Sequence, residues 1–201
     1  MAINFANNSS LANITALPAS VSGGGLTLVS SQTASASASL EFSMDSTYDS
    51  YVFKFINCHP SVDDTRLTFQ CSTNGGSTYA TTLTSTSFRT THTEIDDAAV
   101  LGYITASDQA QGTSFERISE SIGILNDDSV AGYLQIFNPS STTYVKHFIA
   151  RTIVSRGTSG NGASENYQAG YFNTTSAINA IQFKMASGNI DDGIIKMYGV
   201  A

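Results

Sequence analysis

Apolar and polar residues alternate along most of the chain in short runs, each ended by a cluster of Gly, Asn, Asp, Ser or Pro. The runs are "LTLVSSQ", "ASASLEFS", "YDSYVFKFINC", "RLTFQCS", "AAVLGYIT", "SVAGYLQIFN", "TTYVKHFIARTIV", "QAGYFN", "INAIQFKMA" and "GIIKMYGV". Alternation at period two marks a half-buried strand. About ten such runs with no long helix between them predict an all-β fold, an antiparallel β-sandwich or jelly roll with little helix.

The turn chemistry agrees with this reading. Asn74, Gly75 and Gly76 accept positive φ, and their place between two strand runs predicts a hairpin. At the end of the chain, Ile181, Phe183 and Met185 alternate with Gln182 and Lys184. After the loop "ASGNIDDG", Ile195 and Met197 alternate with Ile194, Lys196 and Tyr198 up to the last residues, so that end is expected to lie in a sheet. Helical spacing is confined to two places. Leu11, Ile14 and Leu17 recur every third residue before Pro18, and "SDQAQGTSFERISES" is broken by Gly112. Residues 1–24 are therefore read as an N-terminal arm or anchor segment, and residues 25–201 as one β-sandwich domain. "SRGTSGNGASENY" reads as a surface loop.

Some strands are apolar on both faces. "YVFKFI" sets Tyr51, Phe53 and Phe55 against Val52 and Ile56, and "YVKHFIARTI" sets Tyr144 and Phe148 against Val145 and Ile149. One face packs on the core, so the other also needs a cover. Loops of the same chain or a second copy could supply it. With most of the chain already in strands, a homo-oligomer is the expectation, with Val52, Ile56, Tyr144 and Phe148 at the contact.

Composition narrows the possible partners. Charged residues make up 12% of the chain, against a usual ~25%. The polar surface comes instead from 29 Ser and 23 Thr, which suit extended backbone. A formal net charge of -7 repels nucleic-acid phosphates and anionic membranes, so neither is an expected partner. The first basic residue is Lys54, which leaves no positive segment ahead of an apolar signal, and no apolar run approaches the ~18 residues of a membrane span. Synthesis in a cytoplasm follows as the expectation.

The residues that could carry chemistry are scattered. No G-x-S-x-G elbow occurs, and "GTSGNG" lacks the Gly-Lys-Ser/Thr of a phosphate loop. His59, His92 and His147 stand far apart with no zinc spacing. Four Asp-Asp pairs fall in predicted loops: Asp63 and Asp64, Asp96 and Asp97, Asp127 and Asp128, Asp191 and Asp192. Loops from one end of a sandwich can converge on a hard cation, which makes Asp127, Asp128, Asp191 and Asp192 weak metal candidates. Asp also stabilises turns by accepting from nearby amides, and that bland reading is preferred. Cys58 and Cys71 lie in or beside neighbouring strand runs and are expected as free thiols, Cys71 buried on the face of Leu67 and Phe69. No catalytic residue, cofactor or metal is assigned. An aromatic platform for sugars usually uses Trp, which is absent, although nine Tyr and eleven Phe leave room for one.

The ending "SGNIDDGIIKMYGVA", with "FNPSSTTYVKHFIAR", "AGYFNTTSAINAIQFKM" and "FQCSTNGGSTYATTLTSTSFR", resembles small structural proteins of marine tailed bacteriophages, cyanophages among them. The signature is Ser187, Gly188, Asn189, Ile190, Gly193, Ile195, Lys196, Tyr198 and Gly199, and the likeness runs over nearly the whole chain. Met197 stands where Leu is expected, and Cys71 where a small or branched residue is usual. The resemblance implies a non-enzymatic virion component of sandwich or jelly-roll type. Lacking a repetitive shaft, the chain fits a capsid decoration protein, assembled as a homo-oligomer, a trimer by expectation, on a major capsid or other virion protein. Leu11, Ile14 and Leu17 would then form the anchor. The alternative is a tail-fibre or tip protein with a module for host surface glycans.

Overall fold

The computed structural model describes residues 25–156 and 162–201. The N-terminal candidates Leu11, Ile14 and Leu17 lie outside them. Twelve strands are present among the described residues: β1 (Thr27–Thr33), β2 (Leu40–Ser43), β3 (Ser50–Pro60), β4 (Leu67–Ser72), β5 (Leu83–Thr93), β6 (Ala99–Tyr103), β7 (Glu116–Arg117), β8 (Val130–Phe137), β9 (Lys146–Arg156), β10 (Gly162–Phe172), β11 (Ala180–Met185) and β12 (Ile190–Val200). They form an eight-stranded sheet in the order β1-β12-β3-β8-β9-β10-β5-β6 and a four-stranded sheet in the order β2-β11-β4-β7. The two antiparallel sheets pack face to face as an all-β sandwich. The stretch 107–121 holds no α-helix; a 3-10 turn, Thr105–Ser107, ends on its first residue.

Ring packing centres the core. Phe183 of β11 is fully buried, with its centroid 5.2 Å from those of Phe53 and Phe55 and 6.1 Å from that of Phe42. Large rings fill the space between sheets with few rotatable bonds, and edge-to-face contacts add to their burial. Tyr51, Phe53 and Phe55 face this core, as alternation predicts, and Cys58 and Cys71 are buried free thiols. Burial pushes the Cys58 thiol up to about 12 and Cys71 well above the ordinary range.

The hairpin expected at Asn74 to Gly76 is a corner between sheets instead. Gly75 and Gly76 do take positive φ, at 71° and 87°, but β4 lies in the small sheet and β5 in the large one. The same holds for β11 and β12. A turn residue specifies a local reversal; it does not specify whether the returning strand pairs or crosses to the facing layer. The terminal strand itself behaves as the pattern predicts. β12 is held between β1 and β3 almost to the last residue, with Ile195 and Met197 inward.

Four residues of the ending, Ser187, Asn189, Gly193 and Gly199, have defined structural roles. Asn189 donates through Nδ2 to the carbonyl of Ala36 (3.1 Å), and Ser187 accepts and donates around the Thr65 hydroxyl. Gly193 has φ 119° at a bulge where a Cβ would stand 2.6 Å from the Cα of Cys58. At Gly199 the ring of Tyr48 lies on the backbone in the space a side chain would take.

The large sheet extends beyond the small one, and the inner face of its far half is polar. Ser87, Ser164, Asn166 and Gln168 are buried there beneath the segment that runs from Thr105 to Ile122. Glu116 accepts from Gln168 Nε2 and from Gln109 Nε2 (2.6 Å), and Arg89 pairs with Glu120. No buried side-chain donor or acceptor among the described residues lacks a partner.

Candidate functional site

The outer face of the eight-stranded sheet carries the chain's main surface feature. Pairing register places Lys196, Lys54, Tyr133, Arg151, Tyr167, Phe88 and Tyr103 in one row across seven strands, from β12 to β6. Phe88 and Tyr167 stack with centroids 4.7 Å apart and planes 5° apart. The guanidinium of Arg151 sits 5.0 Å from the Tyr167 centroid on the ring's other side, and Arg151 also pairs with Glu165. That pairing holds the Glu165 carboxyl below its ordinary range, and the Glu165 bond to the Tyr167 hydroxyl raises the phenol.

Apolar residues flank this row. Ile149 and Ile153 of β9 are 40% and 41% exposed, Phe137 is 38% and Leu101 is 74%, all on one continuous face. Near its β6 end a shallow recess of about 460 Å³ is lined by Thr90, Val100, Leu101, Ile153 and Ala163. No described strand or loop forms a second layer over this face.

The residues named from sequence as contact candidates divide. Val52 and Ile56 are on this outer face, Val52 nearly covered by its strand neighbours and Ile56 more open. Tyr144 is 70% exposed but precedes β9 rather than lying within it. Phe148 is a correction: it faces inward, 1% exposed, with its ring 5.2 Å from Phe69 and 5.5 Å from Phe172. Alternation identifies two faces without saying which is the core. The ring took the interior, and Ile149 and Ile153 took the outside.

Two of the four acidic pairs come together, though not as a metal centre. Asp127, Asp128, Asp191 and Asp192 line a recess of about 510 Å³ with Asn57, His59, Asn126 and Ser129. Asp191 and Asp192 belong to the bulged start of β12 rather than to a loop. Asp128 accepts from the Leu125 amide (3.0 Å), Asp192 from the Gly193 amide (2.7 Å), and His59 Nδ1 donates to the Asp128 carbonyl (2.6 Å). The Asp128 and Asp192 carboxylates serve the local backbone. Among the described residues no group of three or more His, Cys, Asp or Glu side chains is placed to hold a metal ion.

Comparison with protein-family models, with curated proteins and with solved structures finds no match in any of the three. The outer face therefore has to be interpreted from its own chemistry. A sugar platform turns ring faces to water. Tyr167 has Phe88 against one face and Arg151 against the other, so at the centre of the row that ring offers an edge rather than a face. Such a surface suits packing against another protein layer.

Sequence reasoning missed the stacked row and the buried polar layer. Both depend on cross-strand neighbours, which alternation within one strand does not reveal.

Proposed function

We propose that this chain is a non-enzymatic structural protein of a tailed-phage virion, a capsid decoration protein that assembles as a homo-oligomer, with a trimer as the expected form. The observation that carries the proposal is the outer face of the eight-stranded sheet: broad, apolar between its charged rows, and uncovered among the described residues. Surfaces of that kind bind protein layers. Low charge density keeps repulsion small when many copies crowd together. The resemblance of the ending to marine phage structural proteins supplies the virion setting. The glycan-binding alternative is disfavoured at Tyr167, whose ring faces are taken by Phe88 and Arg151.

Sedimentation of the purified chain, with and without Ile149→Glu, tests the contact. The expected result is an oligomer that the substitution breaks into smaller species with the melting temperature kept. An Ile149→Glu profile identical to that of the parent would reject the face as a contact. Immunogold labelling of particles from the phage that encodes the chain tests location, with label over the capsid expected and label confined to the tail favouring the tail-protein alternative.

A further inference from the structure

β6 forms one edge of the eight-stranded sheet, unpaired on its outer side among the described residues. Backbone bonds from Thr93 N to Ala98 O (3.1 Å) and from Ile104 N to Ser87 O (3.0 Å) bracket the pairing of β6 with β5. Hydrogen-bonded pairs alternate in an antiparallel ladder, so between those ends Val100 pairs this way with Thr91 and Gly102 with Arg89. Ala99, Leu101 and Tyr103 consequently turn their N–H and C=O groups away from β5, along the edge of the sheet. No described strand pairs with them.

This edge lacks the usual protections. β1, at the opposite edge of the sheet, is interrupted by a register shift between Leu28 and Ser30, whereas β6 runs in unbroken register. β6 holds no Pro, no Lys and no charge, and Leu101 and Tyr103 are 74% and 56% exposed. An unbulged, uncharged, apolar edge is a template for another strand.

We infer that β6 pairs antiparallel with β6 of a second copy across a two-fold axis through Leu101. In that register Leu101 meets Leu101 of the second copy, Ala99 meets Tyr103, and Val100 meets Gly102. Each large side chain faces a small one, or its own twin at the axis, on both faces of the sheet. The residues with outward backbone groups, Ala99, Leu101 and Tyr103, meet only one another, so every free donor finds an acceptor. Charge fits as well: the acidic turn at Asp96 and Asp97 falls opposite Ala106 and Thr105 rather than opposite itself. A generic extended peptide would satisfy the backbone, but the match of sizes about one residue belongs to a second copy of this chain. The pairing joins two large sheets edge to edge and leaves the outer face open, so it operates beside the contact proposed above and does not depend on it.

Cysteine cross-linking tests the register. Opposed residues of a hydrogen-bonded pair have Cα atoms within disulfide range, and the native Cys58 and Cys71 are buried. Leu101→Cys is expected to form a covalent dimer under mild oxidation about tenfold or more faster than Thr78→Cys in an exposed loop, because pairing raises the effective thiol concentration. Ala99→Cys and Tyr103→Cys should cross-link when mixed and not alone. Equal rates for Leu101→Cys and Thr78→Cys overturn the pairing, and Ala99→Cys linking to itself overturns the register. Leu101→Pro gives a second arm, since the N–H it removes points away from β5. It should keep the melting temperature and lose the edge-paired species in sedimentation; retention of that species overturns the inference. Ile149→Glu in the Leu101→Cys background should leave cross-linking intact, which separates failure of this contact from failure of the outer-face contact.

Discussion

Tyr167 lies flat on Phe88 across the β10–β5 pair, its ring plane within 5° of the other and the centroids 4.7 Å apart. The stack is closed on its far side by Arg151. Tyr167→Ala is expected to cost about 1–2 kcal/mol, the sum of an aromatic pair and a half-exposed cation contact. Tyr167→Phe keeps both and loses only the hydroxyl bond to Glu165, so it should cost less than half as much. Urea denaturation of the two variants checks the order. Equal losses would mean that the hydroxyl, and not the stack, holds the row together.

Phe148 and Ile149 are neighbours in β9 with opposite duties, one in the core against Phe69 and Phe172 and the other on the outer face. Phe148→Ala is expected to cost about 3–5 kcal/mol through lost burial and the cavity left behind. Ile149→Ala, measured on dilute protein, is expected to cost about 1 kcal/mol or less, because its side chain already meets water. Chemical denaturation compares them directly. A reversal of the order would place the core on the other face of β9.

These two residues also show where sequence reasoning stops. In β3 the assignment of faces was legible because Tyr51, Phe53 and Phe55 are all larger than Val52 and Ile56, so volume and alternation agree. In β9 a ring stands on one face and two isoleucines on the other, and only the neighbouring strands decide between them. The corner at Asn74 to Gly76 is a similar case: positive φ was legible, the layer reached by the next strand was not. The gathering of Asp127 and Asp128 with Asp191 and Asp192 was legible as loops of one sandwich end, but their ladder was not: β12 and β8 flank β3, and Asp191 and Asp192 lie in the bulged start of β12. In sequence, Asn166 falls in the stretch 155–167 read as a surface loop, whereas β10 begins at Gly162 and makes Asn166 and Gln168 part of a polar inner face. That face is buried because the large sheet extends past the small one and the segment after β6 covers the overhang.

Gly193 sits where β12 bulges against β3, with φ 119° and no room for a Cβ beside Cys58 and the Asn57 carbonyl. Gly193→Ala combines a backbone conformation that L residues avoid with a clash against main chain, which cannot rotate away as a flexible side chain could. The expected cost is about 2 kcal/mol or more. Thermal melting of Gly193→Ala beside an alanine at exposed Asp191 checks it, since that neighbour should change little. A small loss at both positions would show that the bulge relaxes freely.

Glu116 is buried, 1% exposed, between Gln109 and Gln168. Desolvation raises its carboxyl above the ordinary range, and bonds from Ser85, Gln109 and Gln168 oppose that rise without cancelling it. Its proton is therefore held more tightly in the folded chain than in the unfolded one. The penalty for the buried charge is fully present above the folded value, shrinks as pH falls, and is gone once pH drops below about 4.5, where the unfolded carboxyl is protonated too. Other carboxylates follow the opposite sign: Glu165 and Asp45 are held below their ordinary values, and their contributions fade in acid. Total stability is thus a poor readout, and the difference from Glu116→Gln is the right one. That difference should move in favour of the parent protein as pH is lowered from neutrality and level off near the unfolded carboxyl value; a flat difference would mean that the three donors fully replace water. At neutral pH, Glu116→Ala should cost about 1–3 kcal/mol, because it leaves one N–H of the buried Gln168 amide without an acceptor, the other still donating to the Ser107 carbonyl.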